Sequence, residues 1–145
     1  MYFEEFEIGQ KFDLNPVSVS LEEIEEFASK YDTLYLHLDK EAAEESMFKG
    51  IIASGFHTLC LVWGQWTRLN KTGTEVIAGL SMDSLRWTAP VYPNDVLTGE
   101  VEILDMISSS KSRQGVLKIQ LTVSNQDGTL VLEAQVKQLL KRKRD

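Results

Sequence analysis

Apolar positions change their spacing about halfway along the chain. Ser20 and Glu23 are spaced as a capping box, and Leu21, Ile24, Phe27, Ala28 and Tyr31 fall on one helical face opposite Glu22, Glu25 and Glu26, which predicts a helix over 21–31. Asp39 stands as the N-cap of a short helix through "KEAAEES", and Ser54 as the N-cap of a longer one from Gly55 to about Leu69. In this last helix Phe56, Leu59, Cys60, Leu61, Val62, Trp63 and Trp66 cover most of the circumference, the pattern of a helix surrounded by protein.

Beyond residue 75 the period becomes two. "EVIAGLSMDSLRW", "DVLTGEVEILDMI", "GVLKIQLTVS" and "TLVLEAQVKQLL" read as strands, as does "KFDLNPVSVS" near the start. In "GVLKIQLTVS", Val116, Ile119, Leu121 and Val123 are read as the buried set, interleaved with Lys118, Gln120 and Thr122. "NQDG" is a hairpin turn, and "YPNDV" turns the chain between the two preceding and following strands. Five or more antiparallel strands with one face buried, together with a helix apolar nearly all round, predict an α+β fold whose sheet curls about that helix. One domain spanning 1–145 suffices for a chain of this length. Such a sheet leaves a long open edge, which predicts side-by-side pairing into a homodimer or a higher oligomer with the pocket at the subunit interface.

Charge narrows the function classes. The net charge of −7 is unevenly spread: residues 1–46 hold thirteen acids and three bases, residues 47–140 hold eight of each, and the terminal "KRKRD" adds +3. An acidic first third is a poor surface for phosphate neutralisation, so no nucleic-acid partner is expected. The basic tail reads as a solvated end that keeps the last strand soluble. The apolar run near 56–66 is broken by His57, Thr58, Gly64 and Gln65, so no membrane anchor is expected, and the acidic start lacks the pattern of a signal peptide, which points to the cytoplasm. A single cysteine, Cys60, rules out an intrachain disulfide and offers no metal cluster; it reads as a core residue.

The candidate chemistry lies in "KYDTLYLHLD". On one continuous helix Asp32 and His37 would stand about 140° apart around the axis and could not face one cavity. If the helix ends near Tyr31 and residues 32–38 form a turn, both converge, with Leu34, Tyr35 and Leu36 as apolar walls. A carboxylate and an imidazole so placed can activate a water and deliver a proton; the alternative is a helix-terminating acid and a surface histidine. Downstream, "IIASG" puts Ser54 and Gly55 at the first turn of the apolar helix, where unpartnered N–H groups and the helix dipole favour a developing negative charge, and glycine allows close approach. The alternative is a plain cap and a tight helix start.

"FASKYDTLYLHLDKEAA", "MFKGIIASGFHT" and "LRWTAPVYPNDVL", in that order, resemble the MaoC-like dehydratases, relatives of the R-specific enoyl-CoA hydratases, and the likeness runs through most of the chain. The resemblance implies the hotdog fold and the reversible hydration of trans-2-enoyl thioesters to 3-hydroxyacyl thioesters, with Asp32 and His37 catalytic and Gly55, Ser54, Leu34 and Tyr35 at the oxyanion and substrate site. It implies an acyl-CoA or acyl-carrier thioester as substrate, and neither a metal nor a redox cofactor. Three positions depart from the family pattern: Leu34 replaces an amide side chain, Tyr35 replaces proline, and Asn94 replaces glycine. The same fold also carries acyl-CoA thioesterases, which leaves that activity open, and Leu34 and Tyr35 leave open a noncatalytic acyl-CoA-binding or assembly subunit.

Other residues read more plainly. His57, one turn into the apolar helix, is expected to pack or to hydrogen bond. Trp63, Trp66 and Trp87 are core or interface aromatics. Arg86 is expected to pair with Asp83 or with an acid of the first third, the alternative being a coenzyme A phosphate.

Overall fold

The computed structural model describes residues 1–144. Five strands, β1 (Lys11–Ser18), β2 (Val76–Trp87), β3 (Val96–Ile107), β4 (Gln114–Ser124) and β5 (Leu130–Lys141), form one antiparallel sheet in the order β1-β3-β4-β5-β2. The helices are α1 (Leu21–Tyr31), α2 (Tyr35–Leu38), α3 (Lys40–Glu45) and α4 (Gly55–Arg68), with 3-10 turns at Phe3–Glu5 and Gly73–Glu75. The sheet curls over α4, which packs chiefly on β1 and β3, giving the α+β hotdog arrangement.

Period-two patterning fixes which face of each strand is buried. Along β4 the buried residues are Leu117, Ile119, Leu121 and Val123, each 0% exposed, while Lys118, Gln120 and Thr122 face outward. Val116 is therefore corrected to the outer set: it shares the parity of the polar residues, and Leu117 holds the inner position. "NQDG" forms the β4–β5 turn, with Gly128 at φ 76° and the Asn125 side chain accepting from the N–H groups of Asp127 and Thr129. "YPNDV" does not make a hairpin, because β2 and β3 lie apart in the sheet and the segment crosses between them. Within it Asn94 adopts φ 68°, a left-handed conformation that asparagine tolerates better than most residues, which accounts for its place at a position suited to glycine. Asp95 stabilises this crossover by accepting from the Tyr92 N–H and the Gln126 side-chain amide.

The capping predictions separate into two outcomes. Ser20 and Glu23 form the full capping box of α1, and Asp39 accepts from the Ala42 N–H at the start of α3. Ser54 occupies the N-cap position of α4 but makes no capping bond. Helix α4 buries only one side within this chain, through His57, Thr58, Val62 and Trp66. Phe56 is 58% exposed and Cys60 is exposed too, so the reading of Cys60 as core is corrected: the apolar circumference is real, but half of it faces outward.

The tail departs from the solvated reading. The Arg142 guanidinium donates to Glu4 (2.7 Å) and to the carbonyls of Ser109 and Ser112, and the Lys143 N–H donates to Glu4, so the basic end is clamped to the first turn of the chain. Arg86 is also reassigned. Asp83 pairs with Lys137 (3.4 Å) and Lys118 (4.0 Å), while Arg86 sits opposite Glu133 on the outer face without an ion pair among the described residues. Among the described residues no helix is long and apolar enough to cross a membrane.

Candidate active site

Helix α1 stops where the sequence reading requires. Asp32 is its C-cap, with φ −156° and ψ 85°, and its N–H still bonds to the Ala28 carbonyl. Two residues later Leu34 holds the N-cap position of α2, so the expected turn contains a single helical turn, which carries His37 back toward Asp32. His37 Nε2 lies 3.3 Å from Asp32 Oδ2. His37 is 4% exposed, which excludes the surface-histidine alternative. His37 Nδ1 contacts the Ile52 carbonyl at 2.7 Å. A carbonyl only accepts, so Nδ1 carries the proton, and Nε2 is the ring nitrogen that faces the carboxylate.

The segment before α4 completes the site. The Ile52 N–H bonds to the Leu36 carbonyl and the Ala53 N–H to the Val91 carbonyl, which pins residues 51–54 between α2 and the β2–β3 crossover. Ser54, 1% exposed, donates its hydroxyl hydrogen to Asp32 Oδ2 at 2.6 Å. Asp32 Oδ2 thus meets both Ser54 and His37, while Oδ1 accepts no hydrogen bond from the described residues.

Asp32 and His37 open onto a cavity of about 430 Å³ with a mostly apolar lining. Leu34, Leu36, Phe48, Phe56, Trp87 and Val131 supply apolar wall, and Gly55 forms part of it at the start of α4. The Gly55, Phe56 and His57 N–H groups have no capping partner among the described residues, and the first bonded amide is that of Thr58, to the Ser54 carbonyl. These amides carry the positive end of the α4 dipole.

The expected site residues thus divide. Asp32, His37, Gly55 and Leu34 line the cavity together. Leu34 is 56% exposed and does not plug it. Tyr35 is 52% exposed and lies outside the lining, because the helical turn directs residue 35 away from residue 37; among the described residues its hydroxyl makes no hydrogen bond that would replace the missing amide. Ser54 also lies outside the lining, behind Asp32, so its expected contact with substrate is corrected to a contact with the carboxylate.

Trp87 belongs to the site, beyond the core or interface role expected from the sequence. Its indole N–H donates to the Gly55 carbonyl at 2.8 Å, and its ring meets Phe56 edge-on at 5.4 Å. The available signal was strand parity, which puts Trp87 on the inner side with Leu85 and opposite to Arg86. His57 packs as expected, stacked on Phe27 at 4.4 Å with 5° between the rings; its Nδ1 is buried without a partner. Burial pushes the His57 pKa down, and the nearby Glu23 opposes that shift.

Known proteins are similar to this chain over most of its length. Residues 4–125 match the family described as MaoC like domain. The uncharacterised protein YdeM of Bacillus subtilis is 37% identical over 142 residues, covering 98% of this chain and 100% of that protein. A solved structure described as a monoamine oxidase regulatory protein from Archaeoglobus superposes with a TM-score of 0.92 at 29% identity, covering 99% of this chain and 96% of that one. The unliganded R-hydratase of Pseudomonas aeruginosa superposes with a TM-score of 0.76 at 25% identity, covering 99% of this chain and 86% of that one. With the family match spanning most of the sheet and the whole of the Asp32, His37 and Gly55 site, the chain belongs to the MaoC-like domain family.

Proposed function

We propose that this chain is an enoyl-thioester hydratase of the R-specific type, acting on acyl chains linked to coenzyme A or to a carrier protein. The observation that carries the proposal is the 3.3 Å approach of His37 Nε2 to Asp32 Oδ2 at the wall of an apolar cavity. A water held by the Asp32 carboxylate and His37 Nε2 adds its oxygen to C3 of the enoyl group as the pair takes its proton. A proton is returned to C2, so the sum is one water added and no electrons transferred. The Gly55 N–H faces the thioester oxygen as it gains negative charge, aided by the α4 dipole. The chemistry requires neither a metal nor a redox cofactor. The R-hydratase likeness supports the same reaction class.

Two other readings remain distinguishable by product. A thioesterase would use Asp32 as base or nucleophile and release free thiol; a binding subunit would turn nothing over. The open cavity, with Leu34 at its rim and Tyr35 outside it, favours an enzyme over a plugged binding site. Incubation with a panel of trans-2-enoyl-CoA and saturated acyl-CoA esters, read by mass spectrometry and thiol titration, tests the reaction. Enoyl esters that gain one water with the thioester intact support the hydratase; thiol release from saturated esters, or no product from any ester, contradicts it.

The same proposal includes a homodimer. Strand β2 is a sheet edge and exposes Ile77 (42%), Leu80 (50%) and Met82 (39%), continuous in kind with Phe56 on the outer side of α4. Trp87 and Phe56 both line the cavity and both remain partly exposed, so a partner seated on this edge would close the pocket. Leu80→Lys is expected to shift the sedimentation coefficient to that of a monomer and to reduce turnover; a fully active wild-type monomer contradicts the shared pocket.

A further inference from the structure

An N-cap serine is expected to turn its oxygen toward the second or third amide of its helix. Ser54 holds the N-cap position of a helix of 14 residues and does not do so. Its hydroxyl instead reaches 22 residues back along the chain and donates to Asp32 Oδ2 at 2.6 Å, a length typical of a hydroxyl bonded to a carboxylate. At 1% exposure the hydroxyl has no access to bulk water, and Ser54 does not line the cavity. Its hydroxyl is turned to the carboxylate and not to the cavity.

We propose that Ser54 is a positioning residue for the Asp32–His37 pair: its hydroxyl fixes one oxygen of the Asp32 carboxylate against His37 and leaves the start of α4 uncapped. The inference rests on the hydratase reading and assigns a role to a residue outside the cavity. Asp32 is the C-cap of α1, one residue past Tyr31, where the backbone alone does not fix the side-chain rotation. The Ser54 bond removes that freedom. It directs Oδ2 to His37 and leaves Oδ1 as the oxygen without a partner among the described residues, the one available to a water. The same rotamer keeps the hydroxyl away from the Gly55, Phe56 and His57 amides, which stay available for a thioester oxygen. One hydrogen bond thus couples both halves of the site: the carboxylate on α1 and the amide turn on α4.

The test is a double-mutant cycle on enoyl-CoA hydration. Loss of a hydrogen bond to a charged group predicts a drop in kcat of roughly 10- to 100-fold for Ser54→Ala, with KM changed by less than about threefold. Ser54→Thr, which keeps the hydroxyl, restores most of the rate. In the Asp32→Asn background, Ser54→Ala changes the residual kcat by less than about threefold, because a residue that acts through Asp32 has nothing left to position. A full additional loss in that background overturns the proposal, as does a rise in KM with kcat unchanged. Thermal unfolding confirms that each variant folds; if Ser54→Ala does not, Ser54→Cys, a weaker donor of similar size, is expected to lose rate in the same direction. A second arm needs no turnover. In substrate-free protein the Asp32 carboxyl and His37 ring resonances shift in Ser54→Ala and return in Ser54→Thr, and unchanged resonances overturn the proposed contact. Shifted resonances in a protein that hydrates no enoyl ester support the contact and sink only the hydratase reading.

Discussion

Gly55→Ala places a methyl group where the structure has no room for one. A Cβ at residue 55 would lie 2.5 Å from Trp87 Cε2, 2.6 Å from Nε1 and 2.8 Å from Cδ2. Carbon atoms in contact need about 3.5–4.0 Å, so the indole must move by about an ångström or more. That movement breaks the 2.8 Å bond from Trp87 Nε1 to the Gly55 carbonyl and unpacks the Phe56–Trp87 pair. The bond contributes roughly 0.5–1.5 kcal/mol and the aromatic pair a similar amount. Against this stands a helix-propensity gain of up to about 1 kcal/mol for alanine over glycine, smaller in a first turn. The balance is a net loss of roughly 1–2 kcal/mol, or a melting temperature lower by about 3–6 °C for a domain of this size. Thermal and urea unfolding at fixed protein concentration measure it. In a Trp87→Ala background the clash is gone, and the same substitution is expected to be neutral or stabilising, a coupling of about 1–3 kcal/mol. Equal effects of Gly55→Ala in both backgrounds would refute the packing described.

Other perturbations follow from buried and clamped groups. Burial lowers the His57 pKa in the folded protein against the opposing pull of Glu23, so the unfolded chain binds the proton more readily. Stability is therefore expected to fall as pH drops below the unfolded value of about 6.5 toward the lower folded value, and His57→Gln should flatten that part of a urea-unfolding pH series. For Glu4, burial acts to raise the pKa, but the Lys143 N–H and the Arg142 guanidinium outweigh it and hold the carboxyl below its usual range. The tail clamp is accordingly complete above the ordinary glutamate pKa and is lost as pH falls through the lower folded value. Arg142→Ala should cost about 1–2 kcal/mol in urea unfolding at neutral pH, a figure reduced by the partial exposure of the pair, and this difference should shrink in acid.

What the sequence made legible follows from the range of the interactions involved. Period-two alternation located all five strands, because burial of one sheet face acts on every second residue; it failed only at Val116, where two apolar neighbours hid the phase and Leu117 took the inner site. The angular argument on Asp32 and His37 succeeded because a five-residue spacing and a helix end are local facts. Ser54 departs from its expected role for the complementary reason. The local rule supplies a cap, whereas its actual partner lies 22 residues away and is set by how α1 meets α4. The circumference of α4 showed that something must cover it, but periodicity does not say whether the cover belongs to the same chain, and Phe56 and Cys60 remain exposed here. Trp87 joined the site through the curl of β2 over the start of α4, a tertiary relation that strand parity only hints at.

The central claim is that Asp32 and His37 act together on water, and the direct measurement is the initial rate of hydration of trans-2-enoyl-CoA esters by wild type, Asp32→Asn, His37→Ala and the double variant. A positioned acid–base pair contributes roughly 10²- to 10⁴-fold, so each single variant is expected to lose kcat/KM by that order, and the double variant no more than the worse single one. Single variants that hydrate at the wild-type rate, or a wild type with no turnover above the double variant, would contradict the account.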